Sequence, residues 1–134
     1  MDVKLSTENI RTIALFEQIT KVHAKDSLIT DHSLYFLVNG DKMGMAIGKN
    51  GVNIKELRRI SDKYIKIFAF DPDVETFVRN MVPSLKSIEI REKNISITVP
   101  HEDKLTVIGR NGENINAIRN LLKRHFDIKS FKLR

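Results

Sequence analysis

The chain contains no cysteine and no tryptophan among its 134 residues. Without cysteine there is no disulfide, no thiolate metal site and no cysteine nucleophile. No apolar run approaches the ~20 residues of a membrane-spanning helix. The first residues lack the apolar core of a secretion signal. These absences predict a cytoplasmic protein with no membrane partner. Histidines are few and scattered: His23, His32, His101 and His125 share no ligand spacing, so no metal site is expected. The carboxylates show no catalytic pairing. Ser27, Ser33 and Ser130 lie outside any nucleophile elbow. Nothing in the chain therefore points to an enzyme, and neither a catalytic residue nor a cofactor is expected. A mean hydropathy of −0.26 fits a globular protein in water.

Glycine is scarce as well, and its placement is uneven. Four of the six glycines fall in two copies of one hexamer, AIGKNG at 46–51 and VIGRNG at 107–112. Sliding the chain by 61 residues superimposes them, and the match extends without a gap from Phe16/Phe77 to Phe70/Phe131. It includes Asn53/Asn114, Ile54/Ile115, Arg58/Arg119 and Ile67/Ile128. Two modules of one architecture are implied, at 1–70 and 71–134. The border falls at Asp71-Pro72-Asp73, where Asp71 can cap a helix that begins at Pro72.

Each module can be read against the other. The first opens with Ser6 or Thr7 as a cap, followed by Ile10, Ile13, Phe16 and Ile19 at helical spacing. The second has a shorter helix over about 72–81, ended by Pro83. A strand pair follows in each. Ile95, Ile97 and Val99 alternate with Asn94, Ser96 and Thr98, the pattern of a half-buried strand. A short helix leads into each glycine loop and a longer one leaves it. A last strand closes each module, near 66–70 and 127–133.

Charge follows the loops. The formal net charge is +6; segments 49–66 and 110–134 contribute +4 and +5, and the rest contributes −3. An anion docking near the loops would explain that distribution. The loop chemistry agrees. Glycine lets a ligand backbone approach closely, the helix that follows offers backbone N–H groups and its positive dipole end, and Lys49 or Arg110 adds charge. Phosphate is the implied target. The nucleotide motifs do not fit. Gly44 to Gly48 is one residue short for a P-loop, Asn50 replaces the magnesium-binding hydroxyl, and Leu105 removes the early glycine from the second copy. The dinucleotide fingerprint lacks its first glycine and its preceding strand.

Ile47-Gly48-Lys49-Asn50-Gly51-Val52-Asn53-Ile54 and Ile108-Gly109-Arg110-Asn111-Gly112-Glu113-Asn114-Ile115 both resemble the signature of the KH domain. The helix-first order is similar to its type II arrangement. The resemblance implies an α+β fold of two tandem type II KH domains, each a three-stranded sheet covered by helices on one face. It also implies single-stranded RNA as partner, clamped over about four nucleotides per domain. Gly48, Lys49, Asn50, Gly51, Gly109, Arg110, Asn111 and Gly112 would then hold RNA backbone. Lys55, Arg58 and Arg119 would flank the site. Ile47, Ile54, Ile108 and Ile115 either line the base-reading groove or belong to the core.

A tandem of this length resembles the archaeal-type NusA family of transcription termination and antitermination factors. That likeness implies RNA polymerase or other transcription factors as further partners, and a monomer. The length leaves no room for the polymerase-binding domain and RNA-binding barrel of bacterial relatives. A KH module serving ribosomes or RNA processing, and a KH-fold protein-interaction module without RNA, remain alternatives. The short linker predicts two modules packed rigidly into one RNA track.

Overall fold

The computed structural model describes residues 7–134. They divide into two compact units, 7–71 and 72–134. In the first unit, helix α1 (Thr7–Thr20) precedes the strands β1 (Asp26–Ile29) and β2 (Ser33–Asn39). Helices α2 (Met43–Ile47) and α3 (Val52–Ser61) flank the first glycine loop, and β3 (Tyr64–Phe70) closes the unit. The second unit repeats this order with α4 (Val74–Met81), β4 (Ser87–Arg91), β5 (Asn94–Thr98), α5 (Lys104–Ile108), α6 (Glu113–Phe126) and β6 (Ser130–Leu133). Each unit has a three-stranded sheet whose middle strand pairs antiparallel with its first strand and parallel with its last. The fold is thus α+β, with the architecture of two tandem KH domains.

The first core lies between one sheet face and the helices. Leu34, Phe36 and Val38 of β2 point to it and stand beside Ile65, Ile67 and Ala69 of β3. Phe16 of α1 stacks on Phe36 with ring centroids 4.2 Å apart, and Ala46 and Leu57 bring in α2 and α3. Burying each such ring stabilises the fold by roughly 1.5–3 kcal/mol. Tyr35 and Leu37, on the opposite face of β2, are buried too. The strand therefore reads as a continuous apolar run rather than an alternation. In the second unit β5 does alternate: Ile95 and Ile97 are fully buried, whereas Ser96 and Thr98 are only partly so.

Two sequence readings need correction. Ile10 is 55% exposed, so the core face of α1 runs through Ile13, Phe16 and Ile19 without it. Of the two caps proposed for α1, Ser6 lies outside the described residues, and Thr7 is itself helical. Helix α4 begins at Val74, and its cap is Asp73, not Asp71. The Asp73 carboxylate accepts from the Thr76 backbone N–H at 3.0 Å and from the Thr76 hydroxyl at 2.7 Å. Those bonds hold its pKa below the usual aspartate range. Pro72 is left outside the helix.

The gapless 61-residue match also breaks after the second loop. Leu34 and Ile95, 61 apart, stand opposite Ile65 and Phe131, which are 66 apart. Helix α6 has 14 residues where α3 has 10, about one extra turn. Hence Ile67/Ile128 and Phe70/Phe131 coincide in sequence but are not structural counterparts.

Candidate nucleic-acid interface

Both glycine loops adopt nearly the same backbone. Gly48 lies at φ 79°, ψ 165° and Gly109 at φ 78°, ψ 173°. Asn50 and Asn111 are left-handed, at φ 56° and 55°, a conformation asparagine tolerates better than most residues. Gly51 and Gly112 are left-handed as well and start α3 and α6. Each loop closes on itself. The Gly51 N–H donates to Gly48 O at 3.0 Å, and the Gly112 N–H to Gly109 O at 3.1 Å. The N–H groups of Val52 and Glu113 donate to Lys49 O and Arg110 O. These four donors are therefore engaged within the loops, so the N–H groups of Gly51, Val52, Gly112 and Glu113 are not among those the helix starts offer to a ligand. What projects outward is side chain: Lys49, Asn50, Arg110 and Asn111 are all exposed.

Sequence reasoning noticed Asn53 and Asn114 as a matched pair but gave them no role. Each braces its loop. Asn53 Nδ2 donates to Met45 O at 3.0 Å, and Asn114 Nδ2 to Val107 O at 2.9 Å. Both acceptors belong to the last turn of the preceding helix, whose carbonyls lack intrahelical partners. Asn114 is buried while Asn53 is partly exposed. Asn114→Ala should therefore cost roughly 1–3 kcal/mol by stranding a buried carbonyl, and Asn53→Ala less. Urea denaturation of the two variants checks the order, and equal losses would contradict it.

In the second unit Ile108, Ile115 and Arg119 come together. With Lys104, Leu133 and Arg134 they line a depression of about 360 Å³ beside the loop. Ile115 is nearly buried and still forms part of that wall. Arg119 is held in place: its Nε donates to Phe131 O at 3.0 Å, and its Nη1 to Asn116 Oδ1 at 3.3 Å. In the first unit Ile47 and Ile54 are partly buried and Lys55 is exposed. Arg58 takes a different posture from Arg119, lying 4.5 Å from the centre of the Tyr64 ring.

The cations that follow the loops are not equivalent. Arg59 is paired with Glu56 at 2.6 Å; that bond raises the pKa of the arginine and lowers that of the glutamate. Lys63 donates to Thr30 O. Lys66 is half-buried on β3, and burial pushes its pKa down. Arg134 is bonded to Glu89 at 2.8 Å. Among the described residues, no group of three or more histidines and carboxylates could hold a metal ion, and no helix is long and apolar enough to cross a membrane.

Comparison with known proteins agrees with this geometry. The family profile described as "KH domain" matches residues 10–82. A protein of Halobacterium salinarum named "Probable transcription termination protein NusA" is 32% identical, with 99% of each chain covered. One of the same name from Halococcus morrhuae is 33% identical, again over 99% of both chains. The namesake from Methanocaldococcus jannaschii is 29% identical over 98% of this chain and 75% of its own. Among solved structures, the one described as "Crystal structure of APE1850" superimposes with a TM-score of 0.76 at 30% identity. It covers 97% of this chain and all of its own.

Proposed function

This chain belongs to the KH-domain family and to its archaeal-type NusA group, and from that premise we propose that it binds single-stranded RNA in transcription termination and antitermination. The observation that carries the proposal is the pair of loops. Two backbones alike to within 8° at their first glycines each present a cation and an asparagine to solvent. Each unit, 1–70 and 71–134, is a binding module in this reading. Gly48 and Gly109 let an RNA backbone approach. Lys49 and Arg110 meet its phosphates, and Asn50 and Asn111 offer amide donors beside them. Ile108, Ile115 and Arg119 form one wall of a groove in which a base is read, with Ile47, Ile54, Lys55 and Arg58 in the corresponding places of the first unit. The protein works by binding, not catalysis, as a cytoplasmic monomer. RNA polymerase and other transcription factors are its further partners.

Two measurements test this reading against its rivals. Affinity for a single-stranded RNA should fall log-linearly with salt, with a slope of about −0.7 per phosphate contacted. A module that binds only protein would show no RNA affinity to titrate. Sequencing RNA crosslinked to the protein in cells should return nascent transcripts; ribosomal RNA or processing intermediates would instead place it in translation or maturation.

A further inference from the structure

The second unit holds a basic depression beyond the loop and the groove, sharing only Arg119 with the latter. It has a volume of about 310 Å³ and lies between α6 and the free edge of β6. Its walls carry Arg119, Lys123, Lys129 and Lys132 over a floor of Ile128 and Phe131, and among the described residues no carboxylate lines it. Arg119 also borders the apolar groove, so the two depressions share a wall. They follow one another along α6: Ile115 and Arg119 line the first, Arg119 and Lys123 the second. Lys123 lies about 15 Å from the glycine loop at 1.5 Å per residue.

We propose that this depression is a second phosphate-binding station, holding the backbone of single-stranded RNA after it leaves the groove of the second unit. The inference rests on the RNA-binding reading above and deepens it. Lys123 alone could be explained as a cation complementing the C-terminal end of the α6 dipole. Lys129 and Lys132 could not, because they lie beyond the helix, at and just before the closing strand. Lys129 does feel the carboxylate of Asp127, but that carboxylate is paired with Lys93. Several like charges thus converge where no acid among the described residues lines the wall, and a bound phosphate would relieve their repulsion.

The first unit makes the contrast. Its depression at the same end of α3 and β3 is lined by Asp31, His32, Arg58, Asp62, Lys63 and Tyr64. Two carboxylates balance its cations, and Arg58 is engaged with the Tyr64 ring. The extra turn of α6 carries Lys123, and α3 has no such turn. The station is therefore a property of the second unit alone.

The test compares Lys123→Gln/Lys129→Gln with Lys21→Gln/Lys86→Gln in the full chain. All four lysines are exposed, so both variants should keep the wild-type thermal midpoint, and both lose the same charge. RNAs of about four and about ten nucleotides are titrated against each, the shorter matching the span of one module. The expected result is that the pocket variant binds the longer RNA about tenfold more weakly, with a salt slope shallower by about one, and binds the shorter RNA unchanged. The control pair should match wild type on both. Wild-type affinity of the pocket variant for the longer RNA would overturn the proposal and leave the loop reading standing. An equal loss in both pairs would overturn it too, by assigning the effect to net charge. If the wild-type chain binds neither RNA, the underlying reading falls first and the station with it.

Discussion

The chain carrying Lys49→Asp, Asn50→Asp, Arg110→Asp and Arg110's neighbour Asn111→Asp should fold normally and lose its affinity for single-stranded RNA. Folding should survive because all four side chains are exposed. Positions 50 and 111 are left-handed, and aspartate is nearly as tolerant of that conformation as asparagine. None of the bonds that close the loops involves these side chains; they run from Gly51 to Gly48 and from Gly112 to Gly109. Binding should not survive, because two cations become four carboxylates at the points where phosphates would dock. The formal net charge falls from +6 to zero. A loss of about a thousandfold or more at moderate salt is expected, since each phosphate contact is itself salt-dependent and repulsion replaces attraction. Changing one loop alone should cost about 10–100-fold, because a tethered second site multiplies the affinity of the first through effective concentration. Unchanged affinity in the quadruple variant, with circular dichroism and thermal midpoint intact, would sink RNA binding at these loops.

Much of this architecture was legible in the residues. The hexamers marked the loops because only glycine fits φ near 78° with ψ near 170°. The β5 alternation marked a strand with one face in the core. The misreadings have physical causes. Ile10 completes a helical stripe in sequence, but a stripe predicts a face and not how far the core extends along it. At 71–73 two aspartates flank a proline, and either could cap; the Thr76 hydroxyl and N–H decide for Asp73. The gapless repeat concealed an insertion of one helical turn because α6 keeps its apolar positions through Leu121 and Leu122, both buried. Apolar matches beyond that turn then arise by period alone. The bracing role of Asn53 and Asn114 could have been found, since each stands five residues after the first glycine of its loop. The basic depression could not, because Lys123, Lys129 and Lys132 meet only when α6 and β6 pack together.

The glycines of the two loops should not respond alike to alanine, although the motifs are nearly identical. A Cβ at Gly109 would lie 2.6 Å from Asn114 Cβ and 2.9 Å from Asn114 N. The second contact is backbone at the start of α6 and cannot turn aside. At Gly48 the closest atoms are Asn53 Nδ2 and Val52 Cγ1, both at 2.9 Å and both on side chains. At Gly51 nothing lies within 4 Å, and at Gly112 the nearest atom is Asn116 Nδ2 at 3.6 Å. The backbone adds its own ranking. The first glycines occupy a region essentially closed to other residues, at about 1–3 kcal/mol, whereas left-handed Gly51 and Gly112 cost roughly 1–2 kcal/mol to replace. Gly109→Ala should therefore destabilise the second unit by about 3 kcal/mol or more, Gly48→Ala by somewhat less, and Gly51→Ala and Gly112→Ala by roughly 1–2 kcal/mol. Urea denaturation followed by amide NMR signals of each unit reads the four values. A Gly109→Ala chain as stable as Gly112→Ala would show that α6 can slide to admit the methyl group. Gly51→Ala carries a second consequence: its methyl group meets nothing among the described residues, so a loss of RNA affinity well beyond its small stability cost would place the RNA backbone against that glycine. If affinity instead followed stability through all four variants, the glycines would serve loop geometry alone, and phosphate recognition would rest on Lys49, Asn50, Arg110 and Asn111.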